Sequence, residues 1–447
     1  MSLISMMIKT YKGNKLNEEN LKQMQIKKLK KLVFYAKEKS PYFKELYSNI
    51  NNDFNLSNLP ITNKEDLMNN FDSWVTDKNI TIKKIKEFTS NIENIGRMIN
   101  NKYLVFKTSG SSGNPLTVLY DKQNIDVASS VAAFRTFARK EDFKKFMKNG
   151  KRTAGVFANY GFYLACGMSR YLQLKNPKKK NKITIDVNLP EKEIIKQLNK
   201  FKPSMLSGYP SNLSLLSNFK ELTIKPDVLI TGGELLTDEI RDKLRDKFKC
   251  YVQTHYSCTE AGEIACECSF GHLHINEDWV IVEPVDKDNN ILKCGVLSDK
   301  VLITNLSNYI QPFIRYELTD RIIVHDEKCK CGKTTKWLEI EGRTDDILEF
   351  ENNILIAPMS LYKIMQEVPE ITRFQLIQKS FKMIELRIVS DKKKLAFETA
   401  IKKLQEYLNS KNIYGIEFVL SSKMPQANKV SGKYNHIYKD FKEYNTK

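Results

Sequence analysis

Six consecutive small or hydroxyl-bearing residues, Thr108, Ser109, Gly110, Ser111, Ser112 and Gly113, are closed by Pro115 and followed by the apolar run 116–120. Glycine lets a backbone turn its N–H groups inward and Ser/Thr hydroxyls add donors, so such a loop can cradle phosphate oxygens. It lacks the Gly-Lys-Ser/Thr of a Walker loop and the spacing of a dinucleotide loop, and a plain Ser/Gly surface loop is the alternative. Gly232, Gly233 and Glu234 follow the apolar run DVLI, which places them at a strand end, where open α/β sheets bind ligands. The segment HYSCTE, residues 255–260, also follows an apolar run. Its Tyr256 can stack on a flat base and its Glu260 can hold Mg²⁺ beside phosphates. Asp320 ends IRYELTD with a carboxylate suited to two vicinal hydroxyls, and Arg343 in GRTDD and Lys433 in KVSGK supply cations.

A second set of residues points to a metal. Cys268 and His274 have five residues between them in CSFGHLH, and Cys329 and Cys331 form a turn-borne pair in CKCG. Three thiolates and one imidazole suit Zn²⁺ by softness, and four protein ligands leave no open position, so the expected role is structural. Cys266 and His272 are rival ligands, and unrelated core cysteines are the plain alternative.

The elements that must position these groups can be read from periodicity. Ile26, Leu29, Val33 and Ala36 fall at helical spacing, and Pro41 ends that helix. Thr62 or Asn63 can cap a second helix at TNKEDL. From about residue 100, the strand-like runs 153–158, 227–233 and 250–256 alternate with the helix-like runs 191–201 and 237–248, the last with Thr237 as N-cap. That alternation predicts parallel sheet covered by helices. Residues 273–325 are β-rich in texture. Near the C-terminus, Ile384, Leu386 and Ile388 alternate as in a strand, Phe397, Ile401, Leu404 and Leu408 mark a helix face, and GIEFVL supplies another strand. The expectation is an α/β fold: a large N-terminal domain over residues 1–343, opening with a helical region over 1–100 and including a β-rich subdomain, then a small mobile α+β domain over 344–447.

Composition narrows the class. The 447-residue chain is long enough for a large core, carries a net charge of +19, and has no run of 18 apolar residues. Its N-terminus turns polar too soon for a secretory signal. Eight cysteines in ordinary core sequence need no disulfide framework, so a reducing cytoplasmic setting is expected. Lysines are scattered, with short clusters only at 176–182 and 391–395, which argues for solvated faces rather than a nucleic-acid stripe.

The order TSGSSGNP, GGE, HYSCTE, RYELTD, GRTDD and SGK resembles the adenylate-forming superfamily of acyl-CoA synthetases and adenylation domains. The stretches LKKLVFYAKEKSPYFKELY, LPITNKEDL, SGYPSNL and LHINEDWVIVEPVD resemble its phenylacetate–CoA ligase and coenzyme F390 synthetase branch, over about residues 20 to 440. The resemblance implies ATP-dependent activation of a carboxylic acid, aryl in this branch, to an acyl-adenylate, then transfer to the thiol of coenzyme A or a carrier protein's pantetheine. By the same resemblance Lys433 would span the carboxylate and the α-phosphate, the 108–113 loop would hold the outgoing phosphates, and Thr259 and Glu260 would serve the α-phosphate and Mg²⁺. Gly232, Gly233, Glu234, His255, Tyr256 and Ser257 would line the nucleotide, and Asp320 and Arg343 would clasp its ribose. Asp345 would be the hinge, Tyr160, Phe162, Tyr209 and Cys258 would surround the acyl group, and a structural zinc and a homodimer fit relatives. Asn114, Ser257 and Thr319 depart from the family's usual lysine, glycine and glycine. An amide-forming or adenylation-only ligase is the alternative within this fold. A basic zinc-containing nucleic-acid-binding protein is the alternative outside it.

Overall fold

The structure is a computed structural model that describes residues 3–108, 115–343, 346–428 and 432–441. Ser109, Gly110, Ser111, Ser112, Gly113, Asn114 and Asp345 lie outside the described residues. The chain divides into two compact units, one of Met1–Leu318 with Ile323–Glu339, the other of Thr319–Ile322 with Ile340–Lys447.

The first unit opens with helices α1 (Leu3–Gly13) and α2 (Glu18–Lys39). Asn17 caps α2 by accepting from the Asn20 amide, and Ser40 beyond its end caps the next helix, Pro41–Leu46. The buried face of α2 is Leu21, Leu29, Leu32, Val33 and Ala36, whereas Ile26 is 46% exposed. The helix expected from the spacing of Ile26, Leu29, Val33 and Ala36 is present, and at about 100° per residue Ile26 sits roughly a quarter turn from the centre of its buried face. Of the two candidate caps near residue 62, Asn63 caps Lys64–Asn69, while the Thr62 hydroxyl donates to the Ile314 carbonyl instead.

Strands β1 (Met98–Ile99), β2 (Tyr103–Lys107) and β3 (Thr117–Tyr120) form a small antiparallel sheet flanking the glycine-rich stretch, and helix α3 (Lys122–Arg135) follows. Next come β4 (Thr153–Phe157), β5 (Lys182–Asp186), β6 (Met205–Gly208), β7 (Val228–Gly232), β8 (Tyr251–Cys258), β9 (Gly262–Glu267) and β10 (Leu273–Ile275). Strands β11 (Val280–Val285), β12 (Lys300–Asn305) and β13 (Tyr316–Leu318) make a second antiparallel sheet. Then β14 (Asp320–His325) and β15 (Trp337–Arg343) rejoin the long nine-stranded sheet, whose order is β14-β15-β10-β9-β8-β7-β6-β4-β5.

Within that sheet β5, β4, β6, β7 and β8 are parallel, and β9 and β10 run antiparallel. Val156, Leu206, Leu229 and Val252 share one face of the parallel strands by their register and pack with Ile194, Leu213 and Leu244 in one core. Truncating one of these, as in Leu229→Ala, costs about 2–5 kcal/mol. Helix α4 (Asp238–Phe248) begins at Thr237, whose side chain accepts from the Ile240 amide as the sequence predicted.

The second unit has a hairpin of β16 (Leu348–Phe350) and β17 (Ile354–Ile356), then β18 (Arg373–Ser380), β19 (Met383–Val389), helix α5 (Lys393–Ser410), β20 (Glu417–Leu420) and β21 (Ile437–Lys439). Ile384, Leu386 and Ile388 are buried on one face of β19, against Leu404 and Leu408 of α5. The α/β class read from the sequence is borne out. Among the described residues no helix is long and apolar enough to cross a membrane.

Candidate functional site

The Cys/His set is brought together. Cys268 follows β9, His274 sits in β10, and Cys329 and Cys331 lie in the turn before β15; their ligand atoms are all within 4.8 Å of one another. The Sγ atoms of Cys268 and Cys329 are 3.7 Å apart, and Cys331 Sγ is 3.3 Å from His274 Nε2. A tetrahedral ion with the usual Zn–S and Zn–N lengths needs S–S edges of about 3.8 Å and S–N edges of about 3.6 Å. The donor set therefore fits a closed four-ligand site. The amides of Phe270 and Cys331 donate to the sulfurs of Cys268 and Cys329, as they do where thiolates hold a cation. On the far side of the imidazole, Nδ1 is 3.0 Å from the Thr335 carbonyl, which places its proton there and turns the Nε2 lone pair toward the thiols. Burial lowers His274 to about 4, which keeps the ring neutral, and burial raises the Cys331 thiol to about 12. A bound dication would reverse that second shift. The rival ligands go elsewhere: Cys266 accepts from Asn276 at 3.7 Å, and the His272 ring stacks on Trp337 at 3.9 Å.

A second triplet, His255, Glu263 and Cys266, also has its donor atoms close together. Its hydrogen bonds argue against a metal. Gln253 is fixed in orientation, with Oε1 accepting from the Ala138 amide at 3.1 Å and Nε2 donating to the Thr136 carbonyl at 2.5 Å. The remaining Nε2 hydrogen of Gln253 meets His255 Nε2 at 3.0 Å, so the ring proton is on Nδ1, which faces Glu263 at 3.6 Å. An Nδ1–H cannot ligate. His255 Nε2 is thus engaged by Gln253, whereas Nδ1 and the buried Glu263 Oε2 face each other at 3.6 Å, beyond hydrogen-bond distance.

Around the glycine-rich stretch, Thr108 donates its amide to the Leu116 carbonyl at 3.0 Å and accepts from the Leu116 amide on its hydroxyl at 2.9 Å. The base of the loop is thus pinched shut. Gly232 ends β7 paired with His255, and Gly233 takes φ +79°, a left-handed conformation that favours glycine. Glu234 accepts from the Ser211 amide at 3.1 Å, at the start of helix Pro210–Ser217. Thr259 and Glu260 form the turn between β8 and β9, after a bulge at Tyr256 and Ser257. That turn is held by residues the sequence reading missed. Tyr120 Oη donates to the Thr259 carbonyl at 3.0 Å, Asn305 Nδ2 donates to the Glu260 carbonyl at 2.9 Å, and the Tyr316 phenol hydrogen-bonds the Glu260 carboxylate. Burial, then Glu260, pushes the Tyr316 phenol far above its ordinary range, so it stays a donor. Only the polarity of TNLSNYIQP between two apolar strands could have signalled such a role.

The aromatic candidates are unlike one another. Tyr160 is 65% exposed, whereas Phe162 and Tyr209 are buried, Tyr209 edge-on to Phe157 at 5.3 Å. The Phe162 carbonyl accepts from the Lys107 amide at 2.7 Å, beside Thr108. Cys258 is partly exposed at the end of β8.

In the second unit Asp320 and Arg343 are close, with Thr319 between them. Arg343 donates to the Thr319 hydroxyl from Nε at 3.2 Å and Nη2 at 2.6 Å, and its Nε lies 3.9 Å from Asp320 Oδ1. Lys433 is half-buried after Gly432, whose φ of +67° explains the glycine of SGK. The Lys433 carbonyl accepts from the Asn428 amide at 2.8 Å, which ties down its backbone.

No family model matches the chain. It is 24% identical over 389 residues to the phenylacetate-coenzyme A ligase of Thermus thermophilus, covering 81% of this chain and 79% of that protein. It is 23% identical over 396 residues to protein CapK of Staphylococcus aureus, covering 83% and 78%. Its fold matches 2-hydroxyisobutyryl-CoA ligase, solved in the postadenylation state with 2-HIB-AMP, at a TM-score of 0.68 and 15% identity, over 94% of this chain and 90% of that one. A benzoate CoA ligase from Burkholderia xenovorans LB400 matches at 0.51 and 13% identity, over 72% and 65%. The chain carries the fold of the adenylate-forming superfamily, and its sequence is similar to the phenylacetate–CoA ligase branch, as the ordered motifs imply.

Proposed function

We propose that this protein is an AMP-forming acid–thiol ligase, which activates an aryl carboxylic acid with ATP and passes the acyl group to coenzyme A or a pantetheine arm. The observation that carries the reading is the tie between two anion-handling segments: the strand leaving the glycine-rich stretch is bonded through Tyr120 to Thr259. In the first half-reaction a carboxylate oxygen attacks the α-phosphorus and pyrophosphate leaves. The obstacle is an anion approaching a polyanion, so donors and cations must be in place beforehand. The 108–113 loop receives the β- and γ-phosphates through its amides and hydroxyls, and Lys433 bridges the carboxylate and the α-phosphate. Thr259 serves the α-phosphate, and Glu260 would hold the Mg²⁺ that neutralises phosphate charge. Asp320 and Arg343 take the ribose, and Gly233 and Tyr256 flank the base. The C-terminal unit acts as a mobile lid hinged at Asp345. Cys268, His274, Cys329 and Cys331 hold a structural zinc with no part in the chemistry.

Hydroxylamine trapping tests this without knowledge of the acceptor. Purified protein with ATP and Mg²⁺ is offered a panel of aryl, acyl and amino acids, and hydroxamate and pyrophosphate are measured. An aryl acid should give both products; silence across the panel would overturn the assignment.

A further inference from the structure

Between β12 and β13 the chain runs Asn305-Leu306-Ser307-Asn308-Tyr309-Ile310-Gln311, and four of its polar residues are buried: Asn305 2%, Ser307 4%, Asn308 0% and Gln311 0% exposed. Buried polar side chains persist only where each finds a partner. Here the partners lie on two other segments. Strand β3 pairs with β2 along one side, which leaves a row of backbone groups on the other, and all four of its residues are buried. Gln311 meets that row as a strand would: Oε1 accepts from the Leu119 amide at 2.7 Å and Nε2 donates to the Thr117 carbonyl at 2.9 Å. Asn308 Nδ2 adds a bond to the Leu119 carbonyl at 3.1 Å.

The same segment reaches the Thr259–Glu260 turn. Asn305 Nδ2 donates to the Glu260 carbonyl at 2.9 Å, and its Oδ1 accepts from both the amide and the hydroxyl of Ser307, at 2.9 and 2.8 Å. Asn308 Oδ1 accepts from the Gln311 amide at 3.0 Å. Tyr120, the last residue of β3, closes the circuit with its 3.0 Å bond to the Thr259 carbonyl, and Tyr316 beyond the segment bonds the Glu260 carboxylate. The exit of the glycine-rich stretch and the turn bearing Thr259 and Glu260 are thus fastened to one buried seven-residue piece and to each other.

We propose that Tyr120, Asn305, Asn308, Gln311 and Tyr316 are positioning residues that hold strand β3 and the Thr259–Glu260 turn in one register, so that phosphate and magnesium groups are aligned before reaction. The inference rests on the ligase reading. Preorganised donors act on the transition state more than on bound substrate, so loosening them lowers kcat and spares KM. A segment that only fills the core would lower stability and leave the turnover of folded protein alone.

Tyr120→Phe removes one hydroxyl and retains the ring. On the full-length protein, with an acid found active by hydroxylamine trapping, it should lower kcat for pyrophosphate release about tenfold, the worth of one well-made hydrogen bond. KM for ATP should stay within about threefold, and the melting temperature should change little. Tyr316→Phe, which frees the Glu260 carboxylate, should in addition raise the Mg²⁺ concentration for half-maximal rate several-fold. Parental kcat in both variants, or a rate loss that tracks the folded fraction, overturns the clasp while leaving the ligase reading intact. A parent protein silent with every acid overturns both.

Discussion

Loss of one cluster thiolate can be worked through in numbers. Cys329→Ser replaces a soft ligand with a hydroxyl that stays protonated at neutral pH, which removes one corner of the tetrahedron. Cys268 and Cys329 are 61 positions apart, so a metal joining them closes a long loop. Chain-entropy arithmetic for a closed loop of that length gives about 4 kcal/mol at 25 °C. The first unit contains about 330 residues, and a unit of that size has an unfolding entropy of roughly 0.7 kcal/mol/K, so the loss corresponds to a fall in Tm of about 6 °C. Elemental analysis of the parent should find about one zinc per chain, the substitution should abolish it, and calorimetry should show the fall. Cys294→Ser is the control: its sulfur faces Lys336 at 3.8 Å, outside the cluster, and it should keep both metal and Tm. Because four protein ligands close the site, the variant's initial rate well below its Tm should match the parent's. A metal-free parent with normal stability, or a Cys329→Ser protein that retains full zinc, refutes the reasoning.

Lys433→Ala should cut acid-dependent pyrophosphate release by about 10²–10³, the range for deleting a donor aimed at developing charge, with nucleotide affinity much less affected; a parental rate refutes its assignment. Arg135 donates two bonds to Asp278, at 2.7 and 2.8 Å, with both side chains buried, so Asp278→Ala strands a cation and should cost about 3–5 kcal/mol by urea unfolding. Pairing it as Arg135→Met with Asp278→Leu should recover most of that, and a loss below about 1 kcal/mol in the single variant contradicts the account. His436 sits against Tyr362, Phe374 and Tyr434, and burial, then Arg373, lowers it to about 4 from 6.5. Between those values the unfolded chain binds a proton that the folded one refuses, so stability is full above pH 6.5 and falls by up to about 3 kcal/mol as pH drops toward 4. His436→Phe should flatten that dependence of the C-terminal unit, and an unchanged slope rules His436 out as its source.

What the sequence made legible follows from what periodicity and spacing record. Strands β7 and β8, the Thr237 cap and the buried face of β19 were predictable because each depends on neighbours a few residues away. The Cys/His cluster was legible because thiols and imidazole are few and their spacing is tied to ligand geometry. The helix through Ile26 was legible from spacing, but Ile26 itself is 46% exposed, because a helix face is decided by what packs on it and periodicity gives only its direction. Tyr120, Asn305 and Gln311 went unseen for another reason: their partners are 139, 45 and 194 positions away, and nothing local separates a buried asparagine from a loop asparagine.

The choice of amides in the 305–311 segment has a physical logic that one substitution can expose. A primary amide offers one acceptor and one donor side by side, which matches the alternating N–H and C=O along a strand edge. Gln311→Met keeps the size but leaves the Leu119 N–H and the Thr117 C=O unpaired, at about 1–3 kcal/mol each. Gln311→Glu behaves differently. Ionised, the new carboxylate can accept from Leu119 but turns a second acceptor toward the Thr117 carbonyl, and it is a desolvated anion. Protonated, it supplies one donor and one acceptor again. Its folded pKa should therefore rise above the ordinary carboxylate value near 4.3, so its share of stability is present below that pH and is lost as pH rises through the raised value. Urea midpoints of Gln311→Glu should climb relative to the parent on acidification from pH 7 to 5, while those of Gln311→Met keep a constant offset. Parallel offsets for both variants would mean that the amide serves by its shape alone. Neutral amides thus fix β3 and the Thr259–Glu260 turn without adding a charge that would oppose the phosphate binding proposed for these segments.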